Sequence, residues 1–60
     1  MKVSELVKLL KKNGCYLKRH GKSHDIWYSE KTGKQFSVPR HPSQDVPKGT
    51  FANIKEDAGF

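Results

Sequence analysis

The side chains able to move protons near neutral pH are His20, His24 and His41, and two of them sit four residues apart among cations. A neutral imidazole accepts a proton and an imidazolium returns it, which suits general acid–base work. RNA asks for little more, because its own 2′-hydroxyl can serve as nucleophile. A base takes that proton, cations offset the charge growing on phosphorus, and an acid protonates the departing 5′-oxygen. Lys18, Arg19, Lys22 and Ser23 lie next to His24 and are the candidate phosphate contacts. A metal site is the rival chemistry. On one straight strand His20 and His24 would stand roughly 13 Å apart, too far to share an ion. A turn at Gly21 would shorten that distance, yet no carboxylate or cysteine signature supports a ligand set, and neither a metal nor a cofactor is expected. The chain also lacks a glycine-rich phosphate loop, a nucleophile elbow and a paired-acid motif.

The charge is placed where such chemistry would use it. The formal charge is +6, and residues 1–24 hold seven basic side chains against Glu5 alone, whereas residues 25–60 carry five of each sign. The whole excess lies on the first half, as expected of a surface that meets a polyanion or an acidic protein. A chain of 60 residues makes one domain and removes only about 60% of its unfolded surface from water. Cys15 is a lone thiol, so no internal disulfide is available and a reducing, cytoplasmic setting is expected. Lys2, Glu5, Lys8, Lys11 and Lys12 interrupt the opening segment, which reads against a signal peptide or a membrane span.

The elements that must hold these residues follow from periodicity. Val3, Leu6, Val7 and Leu10 recur at helical offsets, Ser4 is a candidate N-cap, and Asn13-Gly14 supplies a stop, so a first helix is expected over about residues 4–13. Residues 15–20 and 24–29 read as strands around a turn at Gly21-Lys22-Ser23. The polar stretch 30–34 brings Gly33 to a position of free φ, and Gln35-Phe36-Ser37-Val38 alternates as a third strand with Phe36 and Val38 inward. Pro39, Pro42 and Pro47 keep the next segment extended. Phe51, Ile54, Lys55 and Ala58 then share a helical face, and Gly59-Phe60 fits a left-handed ending with its apolar contact. The order predicts an α+β fold, α-β-β-β-α, with a three-stranded antiparallel sheet covered by two helices on one face and open on the other. Trp27, Tyr28 and Tyr16 could stack on bases from the open face, although one of the strand-2 pair is needed in so small a core. Cys15 is expected to pack under the first helix as a small apolar residue.

Three features, in order, resemble the HicA toxins of toxin–antitoxin systems. They are the opening Lys2–Gly14 helix with Glu5-Leu6, Leu9-Leu10 and Asn13-Gly14, the basic hairpin ending in Ser23-His24, and a long tail. That tail runs Val38-Pro39-Arg40-His41-Pro42, then Val46-Pro47 and Gly49-Thr50, and closes on Ile54-Lys55 and Ala58-Gly59-Phe60. The likeness spans the single domain of residues 1–60. It implies a fold similar to double-stranded-RNA-binding domains and the activity of a metal-independent mRNA interferase. The histidine of the family's Gly-Ser-His motif, here His24, would be catalytic. Two departures stand out: Lys22 separates Gly21 from Ser23, and Asp25 follows the histidine. The resemblance also implies a HicB-type antitoxin that covers the active site, with DNA binding left to that partner and the free toxin a monomer. The competing reading is a non-catalytic RNA-binding module of the same fold. That fold normally sets a lysine cluster at the start of the last helix, where this chain has only Lys48.

Overall fold

The structure, a computed structural model, describes residues 1–60. Its elements run α1 (Val3–Lys12), β1 (Cys15–His20), β2 (His24–Ser29), β3 (Gln35–Pro39) and α2 (Lys48–Ala58). The strands form one antiparallel sheet in the order β1-β2-β3. This is the expected α-β-β-β-α arrangement.

Helix α1 starts one residue earlier than its apolar periodicity suggests, and Ser4 is not its cap. Lys2 holds the cap position in an extended conformation. The orphan N–H groups of Val3 and Ser4 donate to the carbonyls of Gln44 (2.9 Å) and Pro42 (3.0 Å). The Lys2 N–H donates to Glu5 Oε1 at 3.2 Å. The proline-rich segment supplies backbone acceptors, so a side-chain cap is unnecessary. Two further ties, Val46 N–H to the Met1 carbonyl at 2.8 Å and Lys2 Nζ to Asp45 at 3.0 Å, fix that segment along the N-terminus. Gly14, at φ +80°, ends the helix in the left-handed conformation that the sequence suggests.

Val3, Leu6 and Leu10 of α1 meet Cys15, Trp27, Phe36 and Val38 of the sheet, with Val46, Ile54 and Ala58 closing the core. Each large apolar side chain buried here contributes roughly 1.5–3 kcal/mol. Of the strand-2 aromatics, Trp27 is the one in the core. Lys55 is exposed at the margin of the α2 face. Gly59, at φ +89°, ends α2, and Phe60 turns back to lie 6.5 Å from Phe51. The β2–β3 loop grips the same helix end. Ser29 Oγ, fully buried, donates to the Ala58 carbonyl at 2.7 Å, and Thr32 Oγ1 donates to the Asp57 carbonyl. Two of the carbonyls that a helix leaves unpaired are satisfied in this way.

Candidate functional site

Strand parity decides which residues meet. In β2, Trp27 and Ser29 are buried towards the helices, so Asp25 shares their side while His24, Ile26 and Tyr28 point to the open face. Their register partners in β3 divide likewise up to the last pair: Asp25 pairs with Val38, Trp27 with Phe36 and Tyr28 with Gln35, while Pro39, opposite His24, is buried. Strand β1 is less regular. Its register against β2 shifts between Leu17 and Arg19, a bulge that leaves Lys18 as the extra residue. Beyond the bulge Arg19 lies opposite Ile26 and His20 opposite Asp25. Arg19 thereby joins the open face, and His20 crosses to the other.

His24 stands at the hairpin end of the open face, exposed to solvent. Its Nδ1 is 3.1 Å from Ser23 Oγ. When Nδ1–H donates to that hydroxyl, Nε2 is left as the basic nitrogen. The turn is tight: Gly21 N–H donates to the His24 carbonyl at 2.8 Å. Lys22 and Ser23 both keep negative φ, unlike the central residues of the type I′ turn common in two-residue hairpins. A Cβ added to Gly21 would stand 2.4 Å from the His24 carbonyl oxygen. Glycine is therefore required here for space, at an ordinary φ.

The predicted cations divide into two groups. Arg19 is the diagonal cross-strand neighbour of His24, a relation that places Cβ atoms about 7–8 Å apart or less, and Lys22 is exposed in the turn. Lys18 is held elsewhere. Its ammonium donates to Gln35 Oε1 at 3.0 Å and lies 5.6 Å from the centre of the Tyr28 ring. Tyr28 is four residues along β2 from His24, roughly 13 Å. Tyr16 packs beside Tyr28 with ring centres 5.5 Å apart. The open face thus runs from an imidazole with Arg19 at one end to a Tyr–Tyr–Lys platform at the other.

One cluster was not foreseen. On the helix side, His20 Nδ1–H donates to Asp25 Oδ1 at 2.8 Å, and Arg40 Nε donates to the same oxygen at 3.1 Å. Arg40 also donates through Nη2 to the Gly21 carbonyl. The hydrogen bond from His20 lowers the Asp25 carboxyl below its ordinary 3.8; partial burial opposes it and Arg40 reinforces it. Arg40 therefore straps the end of β3 to both β2 and the turn that presents His24. Of the two other histidines, His20 is committed to Asp25, and His41 is exposed just after β3. No three of the histidine, cysteine, aspartate and glutamate side chains converge as a metal would require, and parity sends His20 and His24 to opposite faces.

The HicA toxin family, described as the HicA toxin of bacterial toxin–antitoxin systems, matches residues 3–60. The chain belongs to the HicA toxin family. Comparison with curated proteins and with solved structures gives no match. Membership in the HicA family makes the chain a toxin of a toxin–antitoxin system and implies an antitoxin partner. No helix is long and apolar enough to cross a membrane.

Proposed function

We propose that this HicA-family chain, as one domain of residues 1–60, is an endoribonuclease that cleaves mRNA with His24 as its proton-transfer group. The observation that carries the reading is the exposed Ser23–His24 pair on the open face, its hydrogen bond of 3.1 Å directing the imidazole. In this mechanism Nε2 of His24 takes the proton of a ribose 2′-hydroxyl, or delivers one to the 5′-oxygen, and solvent water carries the other proton transfer. The 2′-oxygen bonds to phosphorus as the bond from phosphorus to the 5′-oxygen breaks. The products are a 2′,3′-cyclic phosphate and a free 5′-hydroxyl. Arg19 and Lys22 supply positive charge at the reacting phosphate. Lys18 and the Tyr16–Tyr28 platform engage nucleotides further along the strand. Ser23 orients the imidazole. The 2′-hydroxyl is the nucleophile, so the route calls for neither metal nor cofactor. The setting is the cytoplasm, the free toxin is a monomer, and a HicB-type antitoxin inhibits it by covering the open face.

The alternative is a module of this fold that binds RNA without cutting it, and one experiment separates the two. The wild type and His24→Ala are each incubated with a long single-stranded RNA in EDTA. Fragments from the wild type alone are expected, with a cyclic phosphate at their 3′ ends. Intact RNA in both reactions, with binding retained, would transfer the assignment to the non-catalytic module.

A further inference from the structure

A groove of about 310 Å³ opens between α1 and the joined ends of β2 and β3, on the helix side of the sheet. Its apolar walls are Val7, Trp27, Pro39 and Pro42, and Lys8 and Lys11 of α1 stand along one rim. Lys8 and Lys11 are exposed and have no acidic partner, because the ion pairs of the molecule are Lys2–Asp45, His20–Asp25 and Arg40–Asp25. Asp25 is the one acid lining the groove. Its carboxylate is already engaged by hydrogen bonds from His20 and Arg40, so the rim offers free positive charge to an anion. Pro39, buried at the end of β3 and the register partner of His24, lines the groove, so the groove and His24 lie on either side of the same strand ends.

We propose that this groove is a subsite for one nucleotide of single-stranded RNA, next in line to the nucleotide held at His24. Lys8 and Lys11 bind its phosphate, and the proline and valine walls receive its base. The assignment rests on the ribonuclease reading above and extends the RNA path round the end of the sheet. The size suits it, since the volume falls at the low end of small-ligand pockets. An RNA strand also brings phosphate and apolar base together, as this combination of rim and wall requires.

Trp27 is the only tryptophan, so its fluorescence reports the groove without reference to cleavage. The probe is a 2′-O-methylated oligoribonucleotide, whose blocked 2′-oxygen cannot act as nucleophile. The wild type and His24→Ala are both expected to show a saturable change in Trp27 emission. An oligomer lacking its bases should bind more weakly and leave the emission unchanged. In Lys8→Ala/Lys11→Ala, removing the contacts to this one phosphate lowers the slope of log affinity against log salt by about 0.7. Between 50 and 200 mM salt the wild type then loses about 2.6-fold more affinity than the variant. Lys8→Arg/Lys11→Arg should recover the wild-type slope.

Unchanged emission on saturation, or an unaltered slope in the alanine variant, would overturn the proposal. So would a polyglutamate peptide that shifts Trp27 and displaces the oligonucleotide, since the groove would then suit an acidic protein segment. The two readings fail separately. Cleavage surviving in His24→Ala removes the catalytic assignment but leaves the titration standing. A silent Trp27 beside histidine-dependent cleavage removes only the groove.

Discussion

Gly21→Ala should damage cleavage far more than it damages the fold. The added Cβ would stand 2.4 Å from the His24 carbonyl oxygen, whereas carbon–oxygen contacts settle at about 3.3–3.6 Å. The turn must open by about 1 Å, and the atom that yields is the backbone of His24 itself. The same movement strains the hydrogen bond from Gly21 N–H to that carbonyl, 2.8 Å long, at a cost of about 0.5–1.5 kcal/mol. In a domain of this size each kcal/mol lowers Tm by about 4–8 °C. A displacement of about 1 Å at a catalytic group costs on the order of 100-fold in rate. Single-turnover cleavage of a labelled RNA, run well below the variant's Tm, should therefore fall by about two orders of magnitude. Gly14→Ala is the control. Gly14 has φ +80° but open space around its missing Cβ, so alanine there costs about 1–2 kcal/mol of backbone strain and should leave the rate of the folded protein unchanged. If Gly21→Ala folds, loses the expected few degrees and still cleaves at the wild-type rate, the reasoning fails, because the turn would not set the position of the reacting group.

Two other perturbations address the strap behind the turn. Arg40→Met removes the donors to Asp25 and to the Gly21 carbonyl and should slow cleavage by more than the loss of RNA affinity that uncovering Asp25 in the groove brings; Arg40→Lys should not restore the rate, because one ammonium lacks the planar fork that spans both acceptors. Binding assays beside single-turnover rates check this, and a pure loss of affinity would contradict it. Asp25→Asn should lower Tm at neutral pH. Since folding depresses the Asp25 pKa, its stabilisation is present above 3.8 and disappears as pH falls through the lower folded value. Thermal melts from pH 7 downward should show the gap between variant and wild type closing below 3.8, and a gap independent of pH would rule out the carboxylate charge as its source.

The elements were legible because each announces itself locally. The apolar spacing of Val3, Leu6 and Leu10 marks α1, and the alternation of Phe36 and Val38 marks β3; both sets are buried as expected. Gly14, Gly33 and Gly59 carry the positive φ values that their places after or between polar runs suggest. The start of α1 was not legible from neighbouring residues, because its acceptors arrive from Pro42 and Gln44, about forty positions away. A side-chain cap is written in the adjacent sequence; a backbone acceptor from a distant segment is not.

The site divides along the same line. Ser23 and His24 are adjacent in sequence, so their pairing was legible, and Lys22 follows from the turn. Arg40 was missed because its role depends on register. Only when β3 is aligned so that Asp25 meets Val38 does the residue just past Pro39 reach Asp25 and Gly21. The bulge in β1 had no signal of its own, yet it sorts the hairpin. With unbroken alternation, Tyr16, Lys18 and His20 would line one face together, and His20 would stand near His24 on the open side. One extra residue between Leu17 and Arg19 reverses this. Arg19 becomes the diagonal neighbour of His24, and His20 is sent to Asp25. The bulge therefore separates two histidines that could otherwise compete for the same proton or the same ion. It leaves one imidazole on the open face and gives the other a carboxylate that, through Arg40, steadies the turn beneath it.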